Sequence, residues 1–434
     1  MQIIEEIKRH SPIALFFFLL VWLPVKLHSQ TYTSTINFGQ SSIDFEVKLV
    51  QEENQTMVLY SSLDMNAYEI PCKRVTLTQE KFEFFVVSDY YTYEYNYVSD
   101  ARDYKGNLTV YSNESGKLLN TFKTILSLEK NIESEAIEKE DFAFISNKLN
   151  LSGTLWKPET SNKKGLFFVT TSQGNDRSGN NAEANYFTKI GYTVFNYDKR
   201  GTGKSEGNWQ SATIEELCED DMNALRFFSE TTGIPLSKIG IKGSSQGGIK
   251  VPYILTRLPE VGLGISVSCP SGSLLEIDLN SWKQRNIKKI GKENILAATN
   301  VQKTAFNYVA GNTTYETLQK VKNKYIDEEW IEYVWIPEKE IQKDPKLNFS
   351  GLPYYKELVQ PVLVIQGLSD EIIPISSYKI IKESMAESKA PYFDVITLKN
   401  TSHSMTILNP EFPYFQVLNT DYISSMTAWL NKFK

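Results

Sequence analysis

The first third of the chain alternates apolar and polar positions, which predicts β-structure. Residues 43–50 alternate with a period of two, as a strand with one buried face does. Residues 81–87 and 90–98 are rich in aromatic and β-branched side chains, which also favour strands. Residues 107–111 and 118–128 predict a further hairpin. We therefore predict a small all-β sandwich or barrel, residues 30–128, without a catalytic group of side chains.

The pattern changes after residues 129–141, a charged segment that is poor in large apolar residues and predicts a linker. Short, nearly continuous apolar runs follow, as expected of parallel strands buried on both faces. These runs occupy residues 165–170, 192–197, 239–242, 263–268, 362–366 and 393–398. Helical patterns lie between them, and one opens with a capping box of Thr213 and Glu216. This alternation predicts the α/β fold class, with a doubly wound, mostly parallel sheet, over residues 142–434.

Residues 271–347 interrupt the alternation of strands and helices. They contain an amphipathic helical stretch at residues 314–325 and two tryptophans, Trp330 and Trp335. The interruption falls between two predicted core strands, so we expect a helical cap over the carboxyl edge of the sheet. That edge is where open α/β sheets bind their ligands.

Composition and charge narrow the class of protein. With 434 residues, 41% of them hydrophobic, the chain can bury a large core. A formal net charge of −6 argues against a nucleic-acid partner, which usually requires a basic patch. The three cysteines, Cys72, Cys218 and Cys269, are too few for a disulfide framework, although a single bridge between Cys218 and Cys269 stays open.

Residues 1–29 have the composition of an export signal. Basic residues at positions 8–10 precede an apolar run at residues 13–23, which is shorter than the roughly 20 residues of a membrane-spanning helix. We therefore expect an exported, periplasmic or extracellular protein with a cleaved signal; an uncleaved membrane anchor is the alternative. No later segment is long and apolar enough to require a membrane span.

Residues 243–247 read Gly-Ser-Ser-Gln-Gly and match the G-x-S-x-G pattern between a predicted strand and a predicted helix. In this sharp turn the glycines avoid a steric clash and the central serine is lifted clear of the sheet. A serine hydroxyl needs an adjacent base to act as a nucleophile. We predict that Ser245 is a catalytic nucleophile.

Only one histidine, His403, lies outside the predicted signal, and it follows the last predicted strand. We predict that it is the catalytic base. Asp370 follows the strand at residues 362–366 and is the predicted acid that orients the imidazole. The order serine, aspartate, histidine is that of α/β-hydrolases. Glu371 and Asp394 are the competing carboxylates.

Acyl transfer also needs backbone N–H donors for the developing oxyanion. The amide of Gln246, directly after the nucleophile, is the first predicted donor, and that of Ser172, in the loop after residues 165–170, is the second. Residues 201–205 resemble the end of a P-loop, but Asp198 stands where that motif needs glycine. The sequence predicts no cofactor and no metal, because no histidine or cysteine cluster has zinc-ligand spacing.

Four segments together resemble exported bacterial α/β-hydrolases of the serine aminopeptidase and carboxylesterase type. Residues 174–179 resemble the group's G-P-x-D-R-x-G loop, and residues 197–205 its Y-D-x-R-G-x-G-x-S turn. Residues 243–252 resemble G-H-S-x-G-G-x-x-A-P, and residues 360–367 resemble the strand P-V-L-x-x-x-G. The β-rich N-terminal part also resembles a domain that precedes such hydrolases.

The chain departs from the group at Thr170 and Thr171, where His-Gly or Ser-Gly is usual. Threonine has less freedom at positive φ than glycine, which would change the shape of the oxyanion hole. Ser244 replaces the common histidine before the nucleophile.

These observations predict a serine hydrolase that forms an acyl-enzyme on a small-molecule ester or a short peptide. We favour the ester, because the sequence reveals no acidic anchor for the amino terminus of a peptide. A serine aminopeptidase or other short-peptide or amide hydrolase is the first alternative. The second is a non-catalytic binding protein on a hydrolase scaffold.

Overall fold

The computed structural model describes residues 30–52, 55–129, 137–407 and 411–433. The predicted export signal, residues 1–29, lies outside the described residues, as does most of the predicted linker. The export signal therefore stays a prediction.

In the described part of the chain, nine strands form one antiparallel sheet in the order β4-β3-β2-β1-β9-β8-β7-β6-β5. The strands are β1 Gln30–Phe38, β2 Ser41–Glu52, β3 Gln55–Ser62, β4 Ala67–Pro71, β5 Lys73–Leu77, β6 Lys81–Val87, β7 Tyr91–Asp100, β8 Asp103–Ser112 and β9 Leu118–Leu128. Alternate residues of the strands point to one buried face, as the period-two pattern requires. The N-terminal sheet is barrel-like, and its core is aromatic, with Phe84 stacked on Tyr95 at 4.6 Å between ring centroids.

Eight strands form the second sheet, in the order β10-β11-β13-β12-β14-β15-β16-β17. They are β10 Glu138–Ser146, β11 Leu149–Lys157, β12 Gly165–Phe168, β13 Thr193–Tyr197, β14 Ile239–Ser244, β15 Leu263–Val267, β16 Val362–Gly367 and β17 Phe393–Leu398. The first two strands pair antiparallel and the last six run parallel to one another. Five of these six strands are buried or nearly buried along their length, because helices cover both faces.

Helices lie between and after the strands of this second sheet. They are α1 Asn181–Lys189, α2 Ile214–Thr232, α3 Gln246–Arg257, α4 Leu274–Ile290, α5 Ile295–Val309, α6 Tyr315–Lys324, α7 Leu352–Tyr355, α8 Ser377–Met385 and α9 Thr420–Leu430. One core contains side chains of α2, α3 and α8, and a second core, on the opposite face, contains those of α1 and α9. The predicted α/β fold class is confirmed. The capping box of Thr213 and Glu216 also forms, with both hydrogen bonds present.

Helices α4, α5 and α6 follow β15 and precede β16, within the predicted cap segment. They share a small apolar core that includes Trp282, Val301 and Trp330. Asn280 of α4 donates a hydrogen bond to the Ile372 carbonyl at 3.3 Å, so the cap touches the loop that follows β16.

Strand β10 begins at Glu138, inside the segment predicted as a linker, so residues 138–141 are strand and not linker. Their charge misled the prediction. They lie on an edge strand, where charged side chains are common because one side of the strand is unpaired. Lys157 on the neighbouring strand pairs with Glu138 and Glu140, at 2.8 and 2.7 Å.

All three cysteines lie in the described residues and are free thiols, so Cys218 and Cys269 form no bridge. Both are buried. Within the described ranges, no helix is long and apolar enough to cross a membrane.

Candidate active site

Ser245 stands between β14 and α3 in a backbone conformation that is rare for a residue with a side chain. Its φ is 54° and its ψ is −118°. Positive φ in a residue other than glycine is uncommon and is often found where function requires it. The turn holds the serine at the carboxyl edge of the sheet and at the start of a helix, as the G-x-S-x-G pattern predicts.

The glycines on either side of Ser245 are required by close contacts. A Cβ on Gly243 would lie 2.3 Å from the Gly247 carbonyl oxygen. A Cβ on Gly247 would lie 3.1 Å from the Val169 carbonyl oxygen and 3.2 Å from that of Thr170. The first glycine therefore permits the turn itself. The second lets the loop after β12 lie against the first turn of α3.

His403 and Asp370 are in direct contact. The His403 Nδ1 atom lies 3.1 Å from each Asp370 carboxylate oxygen. The Asp370 carboxylate also accepts hydrogen bonds from the Ile372 and Ile373 amides, at 2.9 and 2.8 Å, and from the Gln366 side chain at 2.8 Å. With five contacts to donors or to the imidazole, the aspartate is fixed in place.

The pKa of His403 is set by two opposing effects. Burial disfavours the imidazolium and lowers the pKa, whereas the hydrogen bond from the imidazole to Asp370 and the charges of Asp370, Glu371 and Asp89 raise it. The net result is a pKa above the usual histidine value. The imidazole can therefore take up a proton more readily than a free histidine.

The two competing carboxylates occupy other positions. Glu371 accepts a hydrogen bond from the His403 backbone amide at 3.3 Å, and not from its ring. Asp394 pairs with Lys432 at 2.8 Å on the exposed side of β17. Of the three carboxylates, Asp370 is the one that touches the imidazole.

Ser245 and His403 approach the same strand end from opposite sides. The Ser245 amide donates to the Val267 carbonyl at 2.9 Å, and the next residue, Ser268, donates its hydroxyl to the His403 carbonyl at 2.7 Å. Among the described residues, no hydrogen bond joins the Ser245 hydroxyl to the His403 ring. Such contacts are often long in a free enzyme and tighten when substrate binds.

The two predicted oxyanion donors lie in adjacent segments. Gln246 is the first residue of α3, where a backbone N–H has no intrahelical acceptor. Ser172 lies in the loop after β12, and its amide donates to no other described residue. Gly247 brings that loop onto the first turn of α3, so both amides lie on the Ser245 side of the sheet edge.

Thr171 does not adopt a positive φ. The positive φ in this loop falls at Gln173, with a value of 56°. The predicted change in the shape of the oxyanion hole stays a prediction.

Two lysines, Lys199 and Lys250, donate hydrogen bonds to the loop after β12. The Lys199 ammonium donates to the Thr171 carbonyl at 2.8 Å and also to the Gln173 carbonyl. It lies 4.6 Å from the centre of the Trp209 ring. Burial, with the positive charge of Lys250 nearby, lowers the pKa of Lys199 to about 7.

Lys250 belongs to a fully buried network below Thr170. Its ammonium lies 2.6 Å from the Asp221 carboxylate and 2.7 Å from the Thr170 hydroxyl. The same carboxylate accepts hydrogen bonds from the Thr170 amide at 3.1 Å and from the Tyr197 hydroxyl at 2.8 Å. The start of the predicted oxyanion loop is therefore tied to α2, α3 and β13 at once.

The turn at residues 201–205 has a structural role. Asp198 accepts hydrogen bonds from the Arg177 and Lys204 amides, each at 2.9 Å. A Cβ on Gly203 would lie 2.3 Å from the Asp198 carboxyl carbon. Asp198 thus joins the two motif loops, and the glycine makes room for its carboxylate.

Sequence reasoning missed Lys199, Lys250 and Asp221. One signal was present: Asp221 lies four residues after Leu217 and four before Leu225, on the apolar face of α2. A charged residue on a buried helical face needs a buried partner. The contact of Asp89 with the His403 loop had no local signal.

Within the described ranges, no group of three or more histidine, cysteine, aspartate and glutamate side chains could hold a metal ion. The site contains a serine in a strained turn and a histidine–aspartate pair at the end of a doubly wound sheet. This arrangement defines the α/β-hydrolase class, whose chemistry is nucleophilic attack by serine.

A family model described as X-Pro dipeptidyl-peptidase (S15 family) matches residues 148–405, more than half of the chain. The chain belongs to this family. The matched residues include Ser245, Asp370 and His403. The protein is therefore a hydrolase of the serine hydrolase superfamily.

Solved α/β-hydrolase structures resemble the chain at low identity. An esterase from Pyrococcus furiosus is 14% identical, with a TM-score of 0.45 over 70% of this chain and 94% of the esterase. A proline iminopeptidase from Mycobacterium smegmatis is 16% identical, with a TM-score of 0.44 over 68% of this chain and 98% of the iminopeptidase. A comparison with curated proteins finds no match.

The family assignment bears on the choice between ester and peptide. The S15 description names a peptidase, which agrees with the alternative predicted from the sequence. The preference for an ester substrate is not supported.

Proposed function

We propose that the protein is a serine peptidase that cleaves short peptides through an acyl-enzyme intermediate. The observation that carries the proposal is the contact of His403 with the buried Asp370, 3.1 Å away, at the sheet edge where Ser245 sits in its strained turn. The match of residues 148–405 to a peptidase family supports the choice of substrate class.

In the proposed reaction, the Ser245 hydroxyl attacks the carbonyl carbon of the scissile bond and His403 takes its proton. Asp370 holds the Nδ1 proton, so the other ring nitrogen is free to accept. The negative charge on the substrate oxygen is stabilised by the Gln246 and Ser172 amides. His403 then gives its proton to the leaving amine, and water cleaves the acyl-enzyme by the same steps in reverse.

The family's name indicates the first substrates to test, which are peptides with proline as the second residue. A short peptide also suits a site that lies between the sheet edge and the helices α4 to α6. The contact of Asn280 with the loop after Asp370 brings these helices next to the predicted acid.

Labelling with a fluorophosphonate probe tests whether Ser245 is the nucleophile. We expect the wild type to be labelled, Ser245→Ala to be unlabelled and Ser244→Ala to be labelled like the wild type. The neighbouring Ser244 is the matched control, because it is in the same turn but is not the predicted nucleophile. A folded wild type that is never labelled would contradict the proposal and favour a non-catalytic binding protein.

Chromogenic substrates then separate the classes. We compare dipeptidyl p-nitroanilides that end in proline, single aminoacyl p-nitroanilides and p-nitrophenyl esters. The proposal expects the highest kcat/KM on a peptide anilide. Efficient turnover of esters with no turnover of any anilide would instead support an esterase.

A further inference from the structure

After His403 the chain forms strand β18 Thr406–Ile407, which pairs antiparallel with β19 Val417–Leu418 in a separate two-stranded sheet. We call the described residues 406–407 and 411–418 the hairpin. Its base begins three residues after His403. The far part of this hairpin packs in the aromatic core of the N-terminal sheet.

Phe415 is the main contact of the hairpin with this core, and only 1% of it is exposed. Its ring is stacked on Tyr93 with 5.4 Å between ring centroids. It also meets the rings of Phe38 and Phe122 edge to face, at 5.2 and 5.5 Å. Aromatic pairs of this geometry contribute beyond the area they bury. The hairpin is therefore fixed to the N-terminal sheet and not only to its own.

Polar contacts support the same attachment. The Tyr93 hydroxyl donates to the Tyr414 carbonyl at 3.0 Å. In the turn between β6 and β7, Asp89 accepts a hydrogen bond from the Ser404 hydroxyl at 2.6 Å. Ser404 is the residue next to His403. The N-terminal sheet therefore contacts the histidine loop both directly, at Ser404, and through the hairpin.

Asp89 also acts on His403 by its charge. The charged groups that act on the imidazole are Asp370, which touches it, and Glu371 and Asp89. Two of them belong to the loop after β16, whereas Asp89 belongs to the N-terminal sheet. The negative charge of Asp89 favours the imidazolium.

We propose that the N-terminal sheet positions the catalytic histidine. Phe415 packs the hairpin that follows His403 into the core of this sheet, and Asp89 accepts a hydrogen bond from Ser404, the residue after His403. Asp89 and Phe415 are positioning residues, because they act through the histidine loop. The inference rests on the proposed function of His403 as the base. It assigns a catalytic purpose to a region that contains no catalytic side chain of its own.

The first test is Asp89→Asn, which removes the charge but keeps an oxygen that can accept from Ser404. Loss of the negative charge should lower the pKa of His403. Since the base must be neutral, the acid limb of the kcat/KM profile, or of the labelling rate, should move to lower pH. High salt should shrink the difference from wild type, because Asp89 is exposed and its charge is screened.

Asp44→Asn is the matched control. Asp44 is also an exposed aspartate of the N-terminal sheet that accepts a hydroxyl hydrogen bond at 2.6 Å, but from Thr35, and it is not among the groups whose charge acts on His403. Its profile should coincide with that of the wild type. A general effect of charge or of domain stability would move both variants alike.

The second test loosens the hairpin. Phe415→Ala should lower kcat by about tenfold to 100-fold, because small displacements of a catalytic group have effects of this size. Tyr93→Phe removes the hydrogen bond to the Tyr414 carbonyl but keeps the aromatic ring, and it should lower kcat by about threefold. Tyr97→Phe is its control, since Tyr97 lies on the same strand and bonds to Thr124 at 2.8 Å, away from the hairpin.

The outcomes separate the two proposals. If the wild type is never labelled, the proposed function fails and this inference fails with it. If the wild type is active but Asp89→Asn and Tyr93→Phe match their controls, only this inference is overturned. Should Phe415→Ala not fold, which circular dichroism would detect, the Asp89 and Tyr93 variants decide the question.

Discussion

On one side of Ser245, the loop that carries His403 faces three carboxylates, those of Asp370, Glu371 and Asp89. On the other side, the loop after β12 rests on two lysines, Lys199 and Lys250, which are almost fully buried. Both loops lie at the same edge of one sheet and both are tied down by buried polar contacts. They differ in the charged groups around them: carboxylates face the His403 loop, whereas the loop after β12 meets Lys199 and the buried ion pair of Lys250 with Asp221.

The charged groups beside the two loops can be compared with the charges that acyl transfer would create. When Ser245 attacks a carbonyl, positive charge forms on His403 and negative charge forms on the substrate oxygen. Carboxylates beside the imidazole favour the first, and Lys199, when it is charged, favours the second. Charges that are fixed before the reaction need no reorganisation during it, which is the usual source of electrostatic catalysis. The contrast between the loops thus gives each charged group a testable role.

The largest effect is expected on the carboxylate side. Asp370→Asn should lower kcat by about 1,000-fold to 10,000-fold, because asparagine cannot hold the imidazole in the working tautomer or stabilise the imidazolium. Steady-state kinetics would measure this loss of kcat, with the chromogenic substrate that the wild type cleaves best.

Glu371→Gln is the control for this variant. Glutamine can still accept from the His403 amide, so kcat should fall by no more than about threefold. If kcat fell equally in Asp370→Asn and Glu371→Gln, Asp370 would have no special role. The effect of the carboxylates on His403 would then come from their net charge alone.

The second effect is expected on stability, when a lysine below the loop after β12 is replaced. Lys250→Met leaves the Asp221 carboxylate buried without its cation, since both side chains have 0% exposure. Removal of one partner from a buried ion pair typically costs about 3–5 kcal/mol of stability. Urea unfolding should show this loss in the free energy of unfolding.

The exposed pair of Lys432 and Asp394 provides the comparison. Its two side chains are about half exposed, so Lys432→Met should change the free energy of unfolding by less than about 1 kcal/mol. A loss below about 1 kcal/mol for Lys250→Met as well would show that Asp221 is neutral or solvated, and that the lysine side is not held by charge.

Local sequence signals predicted the elements that carry the site. The start of α3 at Gln246 and the bounds of β17 follow from the glycine turn and from an apolar run, which are short-range features. The strain at Ser245 follows from the same turn. These predictions needed no knowledge of which segments meet in space.

The surroundings of the two loops could not be predicted in this way. Asp89 and Ser404 are 315 residues apart in the chain, and Lys250 reaches Asp221 and Thr170 across 29 and 80 residues. The sequence pattern marks Asp221 as a charged residue on a buried helical face, but it does not identify the partner of Asp221 or that of Asp89. The first four residues of β10 were also missed, because charged residues on an edge strand have the composition of a linker.

Lys199→Met is expected to have a smaller effect on activity than Asp370→Asn, and its effect on stability should depend on pH. Lys199→Met should lower kcat by about tenfold, since the carbonyls of Thr171 and Gln173 lose their donor while the loop keeps its hydrogen bonds through Thr170.

The pKa of Lys199 is lowered from 10.5 to about 7 in the folded protein. Between these two pH values the unfolded chain binds a proton that the folded chain does not, so stability from this residue rises with pH across that window. The free energy of unfolding of the wild type, relative to Lys199→Met, should therefore be larger at pH 9 than at pH 7. If the free energy of unfolding changed with pH by the same amount in both proteins, Lys199 would keep an ordinary pKa. Its ammonium would then stay charged near neutral pH.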